Sequence, residues 1–340
     1  NGGYAAEATF TVGANPSGIA VLDYNNDGNI DLAVSNLYSS NMSLLSGIGD
    51  GTFAAAVTLS TDLMPTSIIA EDISGDGRPD LIVTSEYTGT INAFIATSDG
   101  EFNNKVSYNS GVVPQQIVAI DHDDDGDMDL AVTNLTANTV TLLVNDGAGV
   151  FDNSITLATG NGAYAIAVGD LNNDDKSDLV VTNVLGNDIS LLLANGGGGF
   201  LTAQSVSVGR GPTAVELTDV DGDGDLDIAV TSSNSKSVSV LVNHGNATFL
   251  APEGYGVGNF FNSLPFGVTS ADTDGNGFKE LIVTNSDANQ LTILDNLMGA
   301  VSHSIAVDGE AATQDIDFLL AGQSAPTLAP INPITVDESS

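Results

Sequence analysis

Residues 121–129 read DHDDDGDMD: six aspartates in nine positions, with a glycine at the sixth. Related stretches stand at 23–31 (DYNNDGNID), 72–80 (DISGDGRPD), 170–178 (DLNNDDKSD), 219–227 (DVDGDGDLD) and 272–280 (DTDGNGFKE), so the general form is D-x-[DNS]-x-[DN]-G-x-x-[DE]. In a turn of this spacing, positions 1, 3 and 5 aim oxygen atoms at one centre. Position 7 adds a backbone carbonyl, and position 9 returns a carboxylate as the next segment begins. Glycine at position 6 admits the positive φ of a sharp turn. All-oxygen ligation rich in carboxylates suits Ca²⁺ and disfavours zinc or copper. A bound cation neutralises carboxylates that would otherwise repel one another.

The expected ligands follow loop by loop. The third loop offers Asp121, Asp123, Asp125 and Asp129, and the fifth Asp219, Asp221, Asp223 and Asp227. One asparagine enters the first (Asp23, Asn25, Asp27, Asp31) and the fourth (Asp170, Asn172, Asp174, Asp178). The second has Ser74 beside Asp72, Asp76 and Asp80, and the sixth has Asn276 and Glu280 beside Asp272 and Asp274. The position-7 carbonyls belong to Asn29, Arg78, Asp127, Lys176, Asp225 and Phe278. Loops three and five, with four carboxylates each, are expected to bind most tightly. Loop four departs most, with Asp175 in the glycine position, although Asp tolerates the left-handed region better than most residues. One such loop reads equally as an Asp/Asn/Gly hairpin turn; six in register read as about six Ca²⁺ sites.

The loops are set in a repeat. Asp23, Asp72, Asp121, Asp170 and Asp219 are 49 residues apart, Asp272 follows after 53, and Phe53, Phe102, Phe151, Phe200 and Phe249 keep the same 49-residue step. Within a unit, a short apolar segment (QQIVAID, 115–121) precedes the acidic loop. A continuous β-branched run (DLAVTN, 129–134) follows, as expected of a strand covered on both faces. Then come an alternating segment (NTVTLLV, 138–144), a Gly/Asn/Asp hairpin and a more polar strand (QSVSVG, 204–209). No segment has helical periodicity. Four antiparallel strands per unit predict an all-β β-propeller of four-stranded blades. An open β-solenoid is the alternative, but its repeats are usually shorter.

Six units leave nearly one blade over. ATFTVG (8–13) aligns with a fourth strand and ATQDIDFLL (312–320) with a first, the pattern of a ring closed by one shared blade. Seven blades are therefore expected, with six as the alternative. The propeller is assigned to residues 1–322. The proline-bearing tail 323–340 reads as a linker into a following domain, so the chain reads as a monomeric module of a longer polypeptide.

Composition narrows the partners. Forty-four acidic residues against six Lys+Arg give a formal net charge of −38. Nucleic acid requires a basic footprint that this chain lacks. An anionic membrane surface is equally disfavoured, and no apolar run is long enough for insertion into a bilayer. There is no cysteine, hence no disulfide framework.

The unit GPTAVELTDVDGDGDLDIAVTSSNSKSVSVLVNHGNATF (211–249) resembles FG-GAP-like repeats of the bacterial VCBS type, and through them the calcium-binding blades of integrin α-subunit propellers. The resemblance covers nearly all of residues 1–320. It implies Ca²⁺ held between the first and second strands of each blade, and an extracellular module, secreted or on the cell surface, for adhesion or carbohydrate binding. The tail similarly resembles the entry to a cadherin-like or Ig-like repeat. The literal FG…GAP signature is missing, so the integrin likeness extends to architecture and not to ligand.

Catalysis finds little support. His122 occupies a non-ligand position of loop three and is expected to be solvated, His244 falls in a hairpin turn, and His303 is placed on an outer strand. No G-x-S-x-G, H-E-x-x-H or phosphate loop occurs. The expectation is a non-enzymatic module; a domain of a secreted carbohydrate-active enzyme is the alternative. A surface glycan or protein ligand is expected on the face opposite the acidic loops. There Tyr38 and Tyr87 hold equivalent positions in two 2–3 loops, and the only length irregularity brings Phe260 and Phe261.

Overall fold

The computed structural model describes residues 8–98, 100–103, 105–257, 264–286 and 290–296, together with the backbone of 317–318. No helix occurs among them, and the strands form six four-stranded sheets in succession along the chain. The first sheet is β1 (Pro16–Leu22), β2 (Asp31–Asn36), β3 (Asn41–Leu45) and β4 (Val57–Ser60). The second begins with β5 (Pro65–Glu71), β6 (Asp80–Ser85) and β7 (Thr90–Phe94). A small hairpin of β8 (Ala96–Ser98) and β9 (Glu101–Phe102) then leads to its outer strand, β10 (Val106–Asn109).

The third sheet is β11 (Pro114–Ile120), β12 (Asp129–Asn134), β13 (Thr139–Val144) and β14 (Asn153–Ala158). The fourth is β15 (Ala163–Gly169), β16 (Asp178–Asn183), β17 (Asp188–Leu192) and β18 (Gln204–Ser207). The fifth is β19 (Pro212–Thr218), β20 (Asp227–Ser232), β21 (Ser237–Leu241) and β22 (Glu253–Gly256). The sixth is β23 (Pro265–Ala271), β24 (Glu280–Asn285), β25 (Gln290–Asn296) and β26 (Asp317–Phe318).

First strands of successive sheets touch one another, β1 to β5 and onward to β23, which makes them the innermost. The chain is a β-propeller of four-stranded blades. The core lies between blades: Ile82 and Ile91 of the second pack with Leu130, Val132 and Leu143 of the third. The second strands, sandwiched on both faces, are buried at every residue in blades two to five. The third strands depart from the half-exposed alternation expected of them. Their polar residues Ser43, Thr141 and Ser190 are buried as well, each accepting a hydrogen bond from the amide of Asn36 (3.0 Å), Asn134 (3.0 Å) or Asn183 (2.9 Å). A satisfied hydroxyl can be buried at small cost.

The seventh blade leaves its mark on the first. Phe10 meets Phe53 edge-on, centroids 5.2 Å apart at 83°. Tyr108, on the outer strand of blade two, meets Phe151 of blade three at 5.3 Å and 83°. Both partners are displaced by two repeats, so the segment around Phe10 stands where the outer strand of a blade preceding blade one belongs. That agrees with the alignment of 8–13 and with seven blades. At the other end, Asp317–Phe318 runs parallel to Asp295–Asn296 at the open edge of β25, and not as the first strand expected of 312–320. Residues 258–263, with Phe260 and Phe261, and the tail 323–340 lie outside the described residues.

Around the axis, hydroxyls near the start of the first strands reach the next blade: Ser17 donates to Pro65 O (2.7 Å), Thr66 to Gln115 O (2.9 Å) and Thr213 to Pro265 O (3.2 Å). At the same position blades four and six carry Tyr164 and Phe266, whose rings meet edge-on at 6.4 Å.

Candidate metal centres

Each acidic loop joins the first strand of its blade to the second. Register fixes its closing residue, with Ile120 opposite Asp129 and Thr218 opposite Asp227. The six loops share one internal scaffold. The position-1 carboxylate accepts the amide of position 6, as from Gly28 to Asp23 (2.9 Å), Gly126 to Asp121 (3.1 Å) and Gly224 to Asp219 (3.0 Å). Position 5 accepts the amide of position 7, as from Asn29 to Asp27 (2.8 Å) and Phe278 to Asn276 (2.8 Å). In loop four Asp175 holds the left-handed conformation (φ 62°) and still donates to Asp170 (2.8 Å), so the loop keeps its shape without glycine. The nine-residue spacing did not reveal that position 4 is left-handed too, with φ of 55–59° at Asn26, Asp124 and Asn173.

Position 9 is the most constrained. Asp31, Asp80, Asp129, Asp178, Asp227 and Glu280 are 0–2% exposed. In Asp227 one oxygen accepts the amide of Val220 (2.8 Å) and the other that of Asn243 (2.7 Å). Asp178 is held alike by Leu171 (3.0 Å) and Ala194 (2.8 Å). These bonds favour the anion, but burial outweighs them: it pushes Asp31, Asp80 and Asp178 up and takes Asp227 to about 7. A carboxylate buried in this way is neutralised either by a proton or by a bound cation.

Ligand atoms do converge. Asp121, Asp123 and Asp125 lie within 4.8 Å of one another, as do Asp219, Asp221 and Asp227, and likewise Asp272, Asp274 and Glu280. Among the described residues these acidic triads fall in loops three, five and six, where no Asn or Ser replaces the position-3 carboxylate. One oxygen of Asp121 is buried without a hydrogen-bond partner, an orphaned lone-pair donor of the kind a hard cation takes. The donor sets thus suit Ca²⁺.

Two loops carry additional chemistry. His122 is not solvated: its ring is buried, and Nδ1 is bonded to Asp129. Position 2 of the loop is an interior position, filled elsewhere by Ile73, Leu171 and Val220. In loop two, Arg78 places its guanidinium on Asp76 Oδ2 at 2.5 Å, a cation of the chain's own beside an expected ligand. On the opposite face Tyr38 and Tyr87 are each 73% exposed. Leu63, Val112 and Leu185 are exposed on the same set of connections.

The fold recurs in solved structures of low identity. An Agrocybe aegerita lectin, described as recognising non-reducing terminal N-acetylglucosamine, is 17% identical with a TM-score of 0.54, over 82% of this chain and 80% of that one. Virginiamycin B lyase from Staphylococcus aureus is 15% identical with a TM-score of 0.57, over 84% and 83%. A protein of unknown function from Desulfotomaculum acetoxidans is 14% identical with a TM-score of 0.62, over 91% and 89%. At these identities the likeness concerns the fold. No curated protein matches the chain. The FG-GAP-like repeat matches it five times, at residues 23–83, 72–132, 121–181, 176–230 and 219–283. With the acidic loop at the head of nearly every matched unit and four strands built around it, this chain belongs to the FG-GAP-like repeat family.

Proposed function

We propose that this propeller is a calcium-loaded binding module, without catalytic activity of its own, working outside the cell within a secreted or surface protein. The observation that carries the reading is the closing carboxylate of each loop, buried between strands in a chain of net charge −38. Ca²⁺ supplies the missing charge, with the oxygens of positions 1, 3, 5 and 9 as its ligands. Strand-closed loops of this kind suit the weak affinities of extracellular modules, about 10⁻⁴–10⁻³ M. The ligand, a surface glycan or a protein, is held on the face of Tyr38 and Tyr87. The lectin among the structural neighbours supports a glycan, since it is a propeller-like fold put to that use.

Thermal melting in excess calcium and in EDTA tests the metal. Stabilisation by many degrees is expected, and equal melting temperatures overturn the reading. A glycan array read with and without chelator tests the ligand.

A further inference from the structure

Asn145 and Asn243 each join two acidic loops. The backbone amide of Asn145 donates to Asp129, the closing carboxylate of loop three (2.8 Å). Its side-chain amide turns back to the preceding blade and donates to Ile73 O in loop two (2.7 Å), and also to Met128 O (3.0 Å). Ile73 in turn holds Asp80, the closing carboxylate of loop two, through its own amide (3.1 Å). Asn243 repeats the arrangement. Its backbone holds Asp227 (2.7 Å), and its side chain reaches Leu171 O in loop four (2.8 Å), where Leu171 N holds Asp178 (3.0 Å). Both asparagines are buried.

Asn296 stands at the same place between blades five and six, its side chain donating to Val220 O in loop five (2.7 Å), where Val220 N holds Asp227 (2.8 Å). The other boundaries among the described residues lack this bridge. The residues that hold Asp31, Asp80 and Asp178 are Gly47, Ala96 and Ala194, none with a side chain that can reach back. Loop four is tied to loop five a second time, because Asn173 donates to Asp225 (2.7 Å) and to Gly245 O (3.2 Å). Between loops three and four an ion pair joins Lys176 to Asp124. Both partners are substantially exposed, and such pairs contribute little. Between loops one and two, Tyr24 O accepts from Gly100 N (2.9 Å), in the hairpin beyond the residue that holds Asp80.

We infer that Asn145 and Asn243 are positioning residues that couple neighbouring cation sites, so that loop two loads with loop three and loop four with loop five. The inference rests on the calcium reading above. A cation on Asp129 fixes the backbone of residue 145. The side chain then holds the Ile73–Ser74 peptide by its carbonyl, and the amides of Ile73 and Ser74 orient Asp80 for its own cation. Coupling of this kind is reciprocal: filling loop two strengthens loop three by the same factor. It also relieves the fourth loop, whose turn lacks glycine.

The test is a calcium titration followed by amide NMR signals at position 6, which report each loop separately: Gly28, Gly77, Gly126, Asp175 and Gly224. In the unaltered chain Gly77 and Gly126 are expected to move together. Asn145→Ala installs the residue that blades two and four already carry at this place. It is expected to shift the Gly77 midpoint roughly 3- to 10-fold higher in calcium, the usual range of coupling between sites, with Gly28 unmoved as an internal control of folding. Asn243→Ala is expected to do the same to Asp175. Midpoints at Gly77 and Asp175 that move no more than that of Gly28 overturn the coupling while leaving the calcium reading intact. Signals that do not respond to calcium in the unaltered chain overturn both.

Discussion

The ammonium group of Lys105, beside the outer strand of blade two, sits on the carboxylate of Asp62 in the connection entering that blade. Asn92 (2.8 Å), Thr90 (2.9 Å) and Ser107 (2.9 Å) also donate to Asp62. Burial works to raise this carboxyl, but the four donors outweigh it and bring it down to about 2. A folded-state pKa below the ordinary 3.8 means stabilisation that is present above about pH 4 and lost as pH falls through 2. Lys105→Met is expected to cost about 1 kcal/mol at pH 7, discounted for the partial exposure of the pair. Urea melts should show that penalty shrinking toward zero near pH 2.

Asp62 replaces a glycine found at the same place as Gly13, Gly111, Gly160 and Gly209. A Cβ on Gly160 would lie 2.5 Å from the Asn183 amide. Gly160→Ala is therefore expected to destabilise by about 1–3 kcal/mol through overpacking. Blade two shows the remedy, with Ser85 where blade four has Asn183. Adding Asn183→Ser should recover part of the loss, measured as chemical-denaturation midpoints of the single and double variants.

Arg78 competes for loop two from within. Removing a guanidinium that contacts Asp76 Oδ2 at 2.5 Å lowers the local positive potential. Arg78→Ala is expected to tighten calcium binding at that loop roughly 3- to 10-fold at low ionic strength, with a smaller gain in high salt. Titration of the Gly77 amide at two salt concentrations checks both the sign and the screening.

Tyr38 and Tyr87 stand largely in solvent. Replacing either with alanine is expected to move the melting temperature within the error of a surface substitution, under about 0.5 kcal/mol. If this face holds the ligand, the double variant loses glycan or cell binding while still responding to calcium. Retained binding transfers the site elsewhere.

The loops, strands and blade order were legible in the sequence because each is a local pattern repeated at a constant interval. DLAVTN announces a doubly covered strand wherever it occurs, and DGDGD announces a turn. Contacts between units carry no such signature. Asn145 and Asn243 look like hairpin residues until the structure shows Ile73 and Leu171 beneath their side chains. His122 reads as one more polar loop residue until position 2 proves to face the interior. Asp62 is the exception that could have been found, since it alone breaks a run of glycines at a fixed step.

The edge-on contact of Tyr164 with Phe266 joins blades four and six over the head of blade five. First strands run from that end of the axis toward the acidic loops, so the two aromatic rings lie at the end opposite those loops. The two ends of the inner strands are accordingly unlike: carboxylates gather at one and aromatic rings at the other, which makes the molecule electrically polar along its axis.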